Sequence, residues 1–471
     1  MKKSLGRGGV LMLLLVGSGV AQEIDRPWIE PYAFDFTGGG ARAEGMGKAF
    51  LGVSDDVTGG SWNPAGLYDL EKPTISLSYG SLMPRGSSRS EVRVAFLPNP
   101  LKTDFDYKGS FSNITAFNFA APVRIKGHQF VGTFNLTRHF DEFLGAGYSF
   151  PVHVVESTFF GFVDTAIFDN DQTTQLHGGM NSVNVGFGTR VYKNISAGVS
   201  VNIFTGAAYR ETHSVAETDS FVFPLPPLTY FRLRDESSIV DTNRFSGYNV
   251  TFGFKHTGEK LGIGMVVRSP FSLNVKTGRS IVSLTKWRGP EEGEFQVIGS
   301  DTVYFDNMLV KYKMPLIVGA GVGYRVSEKL LLAFDAEYRN FSDSVDVRLK
   351  QKIDPGGDTE DSLKRVDPGW NNSLALRVGA EYRWEGFGIG EMPLRAGVGY
   401  VPLATPNVVV ADTSTAVKYS VSAGTGIHWN QIHLDIAYTF SALNLETVAL
   451  GVPEAHESRD HHLNFSFTGI F

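Results

Sequence analysis

Charged side chains alternate with apolar ones in three stretches of the second half of the sequence. Each stretch places its charges on one face of a period-two pattern and its apolar residues on the other. Opposite charges on neighbouring strands can pair across a sheet, so we favour a structural polar network over an ion path. The set comprises Asp335, Glu337, Arg339, Arg377, Glu381, Arg383 and Arg395.

No arrangement of residues points to catalysis. The sequence has no Gly-x-Ser-x-Gly motif, and its glycine-rich runs fall inside alternating segments instead of phosphate-binding loops. His456, His461 and His462 with Asp460 have the chemistry of metal ligands, but their place at a strand entrance favours a solvated or lipid-facing role. An inward serine with His433 is the remaining hydrolase candidate. We therefore expect no enzyme, no metal and no cofactor.

The amino terminus has the features of an export signal. Lys2, Lys3 and Arg7 precede the apolar core 10–16, and small residues follow, which predicts a signal peptide over 1–21. The sequence contains no cysteine, which excludes disulfides and a lipid attached to an N-terminal cysteine. Acidic residues outnumber basic ones, 49 to 43, which argues against a nucleic-acid partner.

Residues 73–471 consist largely of segments that alternate between apolar and polar residues over about ten positions, as transmembrane β-strands do. A secreted β-sandwich also alternates, but it does not explain why short turns alternate with long polar segments. Those long segments are 140–180, 209–243, 277–305 and 343–369. Counting back from Phe471 gives 14 strands. The sequence therefore predicts an all-β fold, a 14-stranded antiparallel outer-membrane β-barrel with long extracellular loops.

Residues 22–72 do not alternate and are rich in small residues. A barrel of the predicted size encloses a lumen wider than its own side chains fill, so we predict that 22–72 forms a plug, or hatch, inside it. Asn63 to Gly66 fit a type I turn, directly after a tryptophan. We place Trp62, Asn63, Pro64 and Ala65 in this plug; the hatch or gate role of these four residues is what the family resemblance described next implies.

The stretch GARAEGMGKAFLGVSDDVTGGSWNPAGL, followed by a barrel, resembles the FadL/TodX family of outer-membrane transporters for hydrophobic compounds. Segments 260–278, 314–342, 376–406 and 420–440 resemble later strands and hairpins of that family. The resemblance implies a fourteen-stranded barrel with an N-terminal hatch. It also implies a passive route: capture in an extracellular hydrophobic groove, an internal pocket, movement of the hatch, and lateral exit through the wall.

An uncharged stretch, 221–231, lies in the third predicted outer loop. Apolar patches on exposed loops often bind ligands, so we favour a capture groove over a loop that folds onto the barrel mouth. Arg232 and Arg234 follow, as candidates to bind a fatty-acid carboxylate or lipopolysaccharide phosphates. The candidate ligand-binding residues are Phe221, Phe223, Leu225, Leu228, Tyr230 and Phe231.

These patterns together predict a monomeric protein of the bacterial outer membrane that passively transports long-chain fatty acids, hydrocarbons or similar compounds. The expected partners are that ligand, outer-membrane lipid and lipopolysaccharide, and the barrel-assembly machinery. The alternative is a barrel that acts as an attachment or secretion partner for other proteins. A related branch of the family with that role shares the plug and the Trp-Asn-Pro-Ala-Gly run, so these residues do not separate the two functions.

Overall fold

The computed structural model describes most of the chain after the predicted signal peptide. The described residues are 36–92, 101–159, 162–222, 229–288, 294, 296–341, 347–350, 363–366, 370–385, 388, 390–404, 416–449 and 452–471. The predicted signal peptide, 1–21, and residues 22–35 of the predicted plug lie outside these ranges.

Three short helical segments precede the first strand in the described chain. They are α1 (Ala41–Gly45), α2 (Gly59–Trp62) and a 3-10 helix (Pro64–Asp69). No helix among the described residues combines the length and the apolar character that crossing a membrane requires.

Antiparallel strands make up most of the remaining described residues. Their bounds are β1 Thr74–Val92, β2 Leu101–Lys108, β3 Phe111–Ile125, β4 His128–Phe159, β5 Phe162–Tyr192, β6 Ile195–Val222, β7 Thr229–Thr257, β8 Leu261–Arg268, β9 Phe271–Arg288, β10 Gln296–Met314, β11 Ile317–Arg325, β12 Leu330–Arg339, β13 Val347–Lys350, β14 Leu363–Val366, β15 Ser373–Trp384, β16 Met392–Pro402, β17 Val417–Trp429, β18 Ile432–Ala449 and β19 Val452–Ile470.

The sheet closes because β1 pairs with β19, from Thr74 opposite Ile470 to Ser90 opposite Glu454. The 19 strands occupy 14 positions around the barrel, since some positions hold two successive strands that pair with the same neighbour. For example, β8 and β9 both pair with β7. Pro270 separates β8 from β9 and Pro315 separates β10 from β11, and proline cannot donate to the ladder. The predicted 14-stranded antiparallel barrel is thus confirmed.

The two faces of the barrel wall differ in the way the alternation predicts. On β12, Leu332, Phe334 and Tyr338 are exposed on the outside, whereas Asp335 and Glu337 are buried on the inside. Outward apolar and inward polar side chains are typical of a barrel whose outer surface faces lipid. Aromatic residues near the strand ends are also exposed on the outside, among them Tyr324, Tyr382, Trp384, Tyr400 and Trp429.

Segments predicted to be long outer loops are strands over much of their described length. The ladder between β4 and β5 continues to Phe159 opposite Phe162, and that between β6 and β7 continues to Val222 opposite Thr229. Cross-strand pairs stabilise these extensions, since Glu217 and Arg234 are register partners and form an ion pair at 2.9 Å. Interrupted alternation predicts a loop at these positions, but polar pairs stabilise a ladder as well as apolar ones do.

Candidate functional site

Residues 36–73, called here the N-terminal segment, contact inward-facing residues of strands around the barrel wall. The backbone N–H of Ala41 donates to Ser466 Oγ of β19 at 2.9 Å. On another side, Gln129 of β4 donates to the carbonyls of Tyr68 and Leu70 at 3.4 and 3.2 Å. Met46, Phe50, Leu51 and Trp62 of the segment pack in one buried cluster with Val266 of β8 and Ala333 of β12.

Asp335 of β12 anchors the middle of the segment. Its Oδ2 accepts hydrogen bonds from the backbone N–H groups of Phe50 at 2.6 Å and Leu51 at 2.8 Å, and the residue is buried. These two donors lie where water is excluded, so the carboxylate supplies partners that the segment itself lacks. A single wall side chain therefore fixes two consecutive residues of the segment.

Lys255 of β7 holds the same segment from another strand. Its ammonium group donates to the carbonyl of Val53, to the carbonyl of Ser54 at 3.4 Å and to the Asp69 carboxylate at 2.7 Å. The sequence analysis did not single out Lys255. Its inward position in the alternation of β7 was the available signal, because an inward charge needs a partner.

Arg42 links the segment to the predicted polar network. Its Nε and Nη2 donate to the two carboxylate oxygens of Glu381 at 2.9 and 3.0 Å. Glu381 also accepts from Arg395 at 2.7 Å, and Arg395 in turn donates to Asp435 at 2.6 Å. Charge-assisted, two-point contacts of this kind are strong and directional, so they fix the orientation of the segment.

Asp55 and Asp56 lie beside Arg42 within the segment. Arg42 Nη1 is 2.6 Å from Asp55 and 3.4 Å from Asp56. Burial favours the neutral form of both carboxyls, but the charge of Arg42 overcomes it at Asp55 and holds the pKa of Asp55 below its usual value. At Asp56 burial prevails and raises the pKa, since Arg42 and Thr58 offset it only in part. Among the wall arginines, Arg325 lies 4.0 Å from Asp55.

Glu337 of β12 is the centre of the rest of the network. Its carboxylate lies 2.8 Å from Arg268, 2.7 Å from Arg339 and 3.9 Å from Arg377. Arg268 also donates to the carbonyl of Trp62 at 3.5 Å, which the sequence analysis missed. The seventh predicted member, Arg383, is separate from the others: its side chain is 37% exposed and lies 3.5 Å from Glu391.

The predicted hatch residues lie at the contact between the segment and β7. The Asn63 side chain donates to the carbonyls of Leu51 and Phe254, both at 3.2 Å, and accepts from the N–H of Ala65 at 3.2 Å. Pro64 begins the 3-10 helix, and the N–H of Gly66 donates to the carbonyl of Asn63 at 2.9 Å, as in the predicted turn.

Trp62 is buried next to this turn. Its indole N–H donates to the carbonyl of Gly39 at 3.0 Å, and its ring lies 5.8 Å from that of Phe50. A buried tryptophan needs such a partner for its N–H. Trp62 therefore joins the first and last parts of the N-terminal segment.

Glycines of the wall allow the backbone of the segment to approach the strands closely. A Cβ on Gly321 would lie 2.7 Å from the backbone nitrogen of Gly52, and one on Gly397 would lie 2.6 Å from the Cα of Gly47. Real Cβ atoms do not show such contacts, so no other residue fits without a shift. Gly253, Gly264 and Gly379 make comparable close contacts with the segment.

Five asparagines form a row across adjacent strands β3 to β7. Each is the register partner of the next, in the order Asn118, Asn135, Asn184, Asn202 and Asn249. Amide hydrogen bonds of 2.9, 2.6 and 2.7 Å join the last four. The signal in the sequence was an asparagine between two apolar residues in five consecutive strands, which we did not use.

An aromatic cluster lies inside the barrel, next to this row. Phe36 of the segment has its ring centroid 5.5 Å from that of Phe204 and 5.9 Å from that of Phe271, and the latter two rings stack at 4.8 Å. His139 lies 5.8 Å from Phe36. Further inward residues on β9 and β10 are apolar and buried, namely Leu273, Val275, Val310, Tyr312 and Met314.

A cavity of about 410 Å³ lies between the N-terminal segment and the short-turn ends of β15 to β19. Its lining includes charged side chains, among them Arg42, Asp56 and Glu391, in contrast to the aromatic cluster. His428 and His433 stack there at 4.0 Å.

The predicted ligand-binding stretch lies only partly in the described chain. Phe223, Leu225 and Leu228 are outside it. Phe221 and Tyr230 are register partners at the end of the hairpin of β6 and β7, and Phe231 pairs with Ser220. The structure thus brings the described members of this set to one hairpin end.

The candidate histidine cluster is divided among separate contacts. His461 lies 2.7 Å from the hydroxyl of Tyr438, and His462 lies 3.0 Å from Glu44. The side chain of His456 is not described. In the part of the chain that the structure describes, no group of three or more histidine and acidic side chains could hold a metal ion.

Three solved structures are similar to this chain along almost its whole length. A Pseudomonas aeruginosa FadL homologue is 13% identical, with 93% of this chain and 99% of the other covered and a TM-score of 0.57. The P. putida toluene transporter TodX is 12% identical, with coverage of 93% and 99% and a TM-score of 0.53. The Ralstonia pickettii toluene transporter TbuX is 13% identical, with coverage of 93% and 99% and a TM-score of 0.50.

No protein-family profile and no curated protein sequence matches this chain. The similarity is therefore structural, and it agrees with the resemblance that the segment before β1 indicated. This protein has the barrel fold of the FadL and TodX structures.

Proposed function

We propose that this protein is a passive channel for hydrophobic small molecules in the bacterial outer membrane, with the N-terminal segment as its plug. The observation that carries the proposal is the apolar and aromatic lining of one part of the barrel interior, on β6, β9 and β10, apart from the polar network. Outer-membrane barrels with water-filled channels have polar interiors. Here Leu273, Val275 and Tyr312 are fully buried on the inward face, next to the stacked rings of Phe204 and Phe271. Such a lining suits apolar cargo.

The contacts of the N-terminal segment support its role as a movable plug. Hydrogen bonds that Asp335 accepts, hydrogen bonds that Lys255 and Arg268 donate, and the ion pair of Arg42 hold it against the wall. It contributes no strand to the ladder, which closes through β1 and β19. Apart from the bond that the carbonyl of Pro73 accepts from the N–H of Phe471 at 2.9 Å, the segment can therefore shift without breaking a backbone hydrogen bond of the barrel.

The similar structures favour the same cargo class, since two of them are toluene transporters by name. Capture of the cargo at 221–231, passage through the aromatic cluster, movement of the plug and exit through the wall complete the proposed route. The attachment or secretion alternative has no comparable support from the inward apolar lining, because a docking partner would contact the outer surface.

Uptake by cells that lack the endogenous protein tests the proposal. Radiolabelled toluene and a long-chain fatty acid serve as probes, and cells carry wild type, Leu273→Ser or Leu284→Ser. Both leucines are on β9, but Leu273 is buried inside the barrel and Leu284 is on the other face. We expect the wild-type gene to restore uptake of at least one probe, Leu273→Ser to lower it several-fold, and Leu284→Ser to match wild type. Uptake that does not depend on the gene would contradict the proposal.

A further inference from the structure

We propose that Arg244, Lys276 and Lys311 form a binding surface for the phosphate groups of lipopolysaccharide on the outside of the barrel. This inference rests on the proposed outer-membrane location and adds to it the lipid class that the wall contacts. The three residues, called here the basic row, lie on β7, β9 and β10, which are neighbours in the sheet.

The register brings the basic row together. Arg244 and Lys276 are direct partners across the ladder of β7 and β9. Lys276 lies opposite Leu309, two residues before Lys311 on β10. Direct and diagonal partners on one face are within reach of long side chains. On the next strand, β13, the backbone of Arg348 lies opposite Lys311, so a fourth basic residue occupies the next position across the sheet.

The basic row faces outward. Arg244, Lys276 and Lys311 are exposed, whereas their chain neighbours Phe245, Val275 and Val310 are buried inside the barrel. Successive residues of a strand point to opposite faces. The row is therefore on the outer surface of the wall. Nearer the short-turn ends of the strands, the same face carries exposed apolar residues.

The height of the row matches that of lipid headgroups. On β7, Tyr248 is 71% exposed on the outer face and begins the apolar belt that continues with Phe252 and Phe254. Arg244 lies four residues further from the short-turn end, about 13 Å along a strand. On the side of β10, Leu316 is exposed five residues beyond Lys311. Cations directly above an apolar belt lie where the outer leaflet carries its phosphates.

Within the described part of the chain, no side chain neutralises the charge of the basic row. Among the side chains that the structure describes, no carboxylate lies within ion-pair distance of Arg244, Lys276 or Lys311. Like charges directly opposite each other in a ladder are destabilising, so the arrangement favours an external anion. Arginine and lysine both bind phosphate through charge-assisted hydrogen bonds.

The same two strands contain a matched pair that differs in this one respect. Arg234 and Lys286 are also register partners on β7 and β9, further from the apolar belt. Arg234 pairs with Glu217 at 2.9 Å and with Glu236 at 2.7 Å, and Lys286 pairs with Glu236 at 2.7 Å. The sequence analysis offered Arg234 as a phosphate ligand, but the charges of Arg234 and Lys286 are already paired within the protein, which makes these two residues the control for the basic row.

Binding of lipid A to the purified full-length protein tests the inference. Wild type, R244Q/K276Q and R234Q/K286Q are compared by native mass spectrometry with bisphosphorylated lipid A, with its dephosphorylated form and with inorganic phosphate. We expect R244Q/K276Q to bind bisphosphorylated lipid A about tenfold more weakly, as the loss of two exposed ion pairs implies. R234Q/K286Q should stay within about twofold of wild type, and the dephosphorylated lipid should not distinguish the proteins.

Three results would overturn the inference: equal binding by wild type and R244Q/K276Q, an equal loss in R234Q/K286Q, or competition by inorganic phosphate at the concentration of the lipid. Membrane fractionation of the same strains separates this failure from that of the proposed function. Protein absent from the outer membrane would contradict the location, whereas protein present there with unchanged lipid binding contradicts the basic row alone.

Discussion

Arg42 and Glu381 form a two-point ion pair, with Nε and Nη2 of the guanidinium 2.9 and 3.0 Å from the two carboxylate oxygens. The pair joins the N-terminal segment to β15, and both side chains are largely withdrawn from solvent. Without Glu381, Arg42 would keep only Asp55 and Asp56 as partners, and Arg395 would keep Asp435. The pair is therefore a principal attachment of the segment to the wall.

Glu381→Gln should loosen the N-terminal segment by about 2 kcal/mol, because it weakens the two-point contact with Arg42 while Asp55 stays beside the guanidinium. Hydrogen exchange of residues 41–62 measures this, and heat-modifiable migration of the barrel should not change. Glu385→Gln is the control, since Glu385 is 61% exposed and pairs with Lys329 at the surface. Equal exchange in Glu381→Gln and wild type would show that the ion pair does not hold the segment.

Asn63→Ala and Pro64→Gly should impair uptake of a hydrophobic probe while the barrel still assembles. Asn63→Ala removes three hydrogen bonds, including the one to Phe254 on the wall. Pro64→Gly frees the backbone at the start of the 3-10 helix. Asn63→Asp separates the effect of the accepted hydrogen bond from that of the two donated ones. The aspartate still accepts from the N–H of Ala65, but it cannot donate to the carbonyls of Leu51 and Phe254. Normal uptake in the first two variants would remove the gate role, and loss of assembled barrel would assign these residues to folding.

Gly321→Ala should displace the N-terminal segment, because its Cβ would clash with Oδ1 of the anchor Asp335 and lie 2.7 Å from the backbone nitrogen of Gly52. The expected result is faster hydrogen exchange at 50–53 with an intact barrel. Gly132→Ala is the matched control, as a Cβ there meets nothing within 4 Å. Protection at 50–53 equal to that of wild type would mean that the wall does not need glycine at this contact.

Attachment of the segment should weaken below about pH 4.5. Burial alone would raise the pKa of Glu44, but the neighbouring His462 at 3.0 Å lowers it below the ordinary value of 4.5. A lowered carboxyl pKa contributes stability above the ordinary value, and this contribution is lost as the pH falls through the pKa of the attached state. Exchange of residues 41–47 against pH measures it. Glu44→Gln should flatten the profile below 4.5, and an unchanged profile would contradict the assignment.

Single cysteines should report which ends of the strands face the cell exterior. The protein has no native cysteine, so a membrane-impermeant thiol reagent reacts only at the introduced site. Asn194, Lys329 and Gln431 lie in short turns, which are periplasmic in outer-membrane barrels, and cysteines there should be protected in intact cells. A cysteine at Ser214, on the extension of β6, should be labelled. The reverse pattern would invert the orientation.

The sequence by itself determined the barrel. Alternation with period two distinguishes a lipid-facing from an interior side chain at each strand position, and a one-residue slip would place every such residue on the wrong face. The strands around Asp335, Arg377 and Arg395 could be predicted because that alternation is a local property. The turn at Asn63 could also be predicted from local sequence, because proline and asparagine restrict their own backbone.

Only the tertiary structure decided which residues meet. Asp335 could be assigned to the interior, but its partners are backbone N–H groups almost three hundred positions earlier, and sequence carries no sign of an N–H that lacks a partner. Lys255 and Arg268 were inward charges whose contacts with the segment depend on closure of the barrel. The role of Gly321 and Gly397 could not be predicted from the sequence either. A strand position requires glycine only when a second backbone packs against it, and that packing is a property of the tertiary structure.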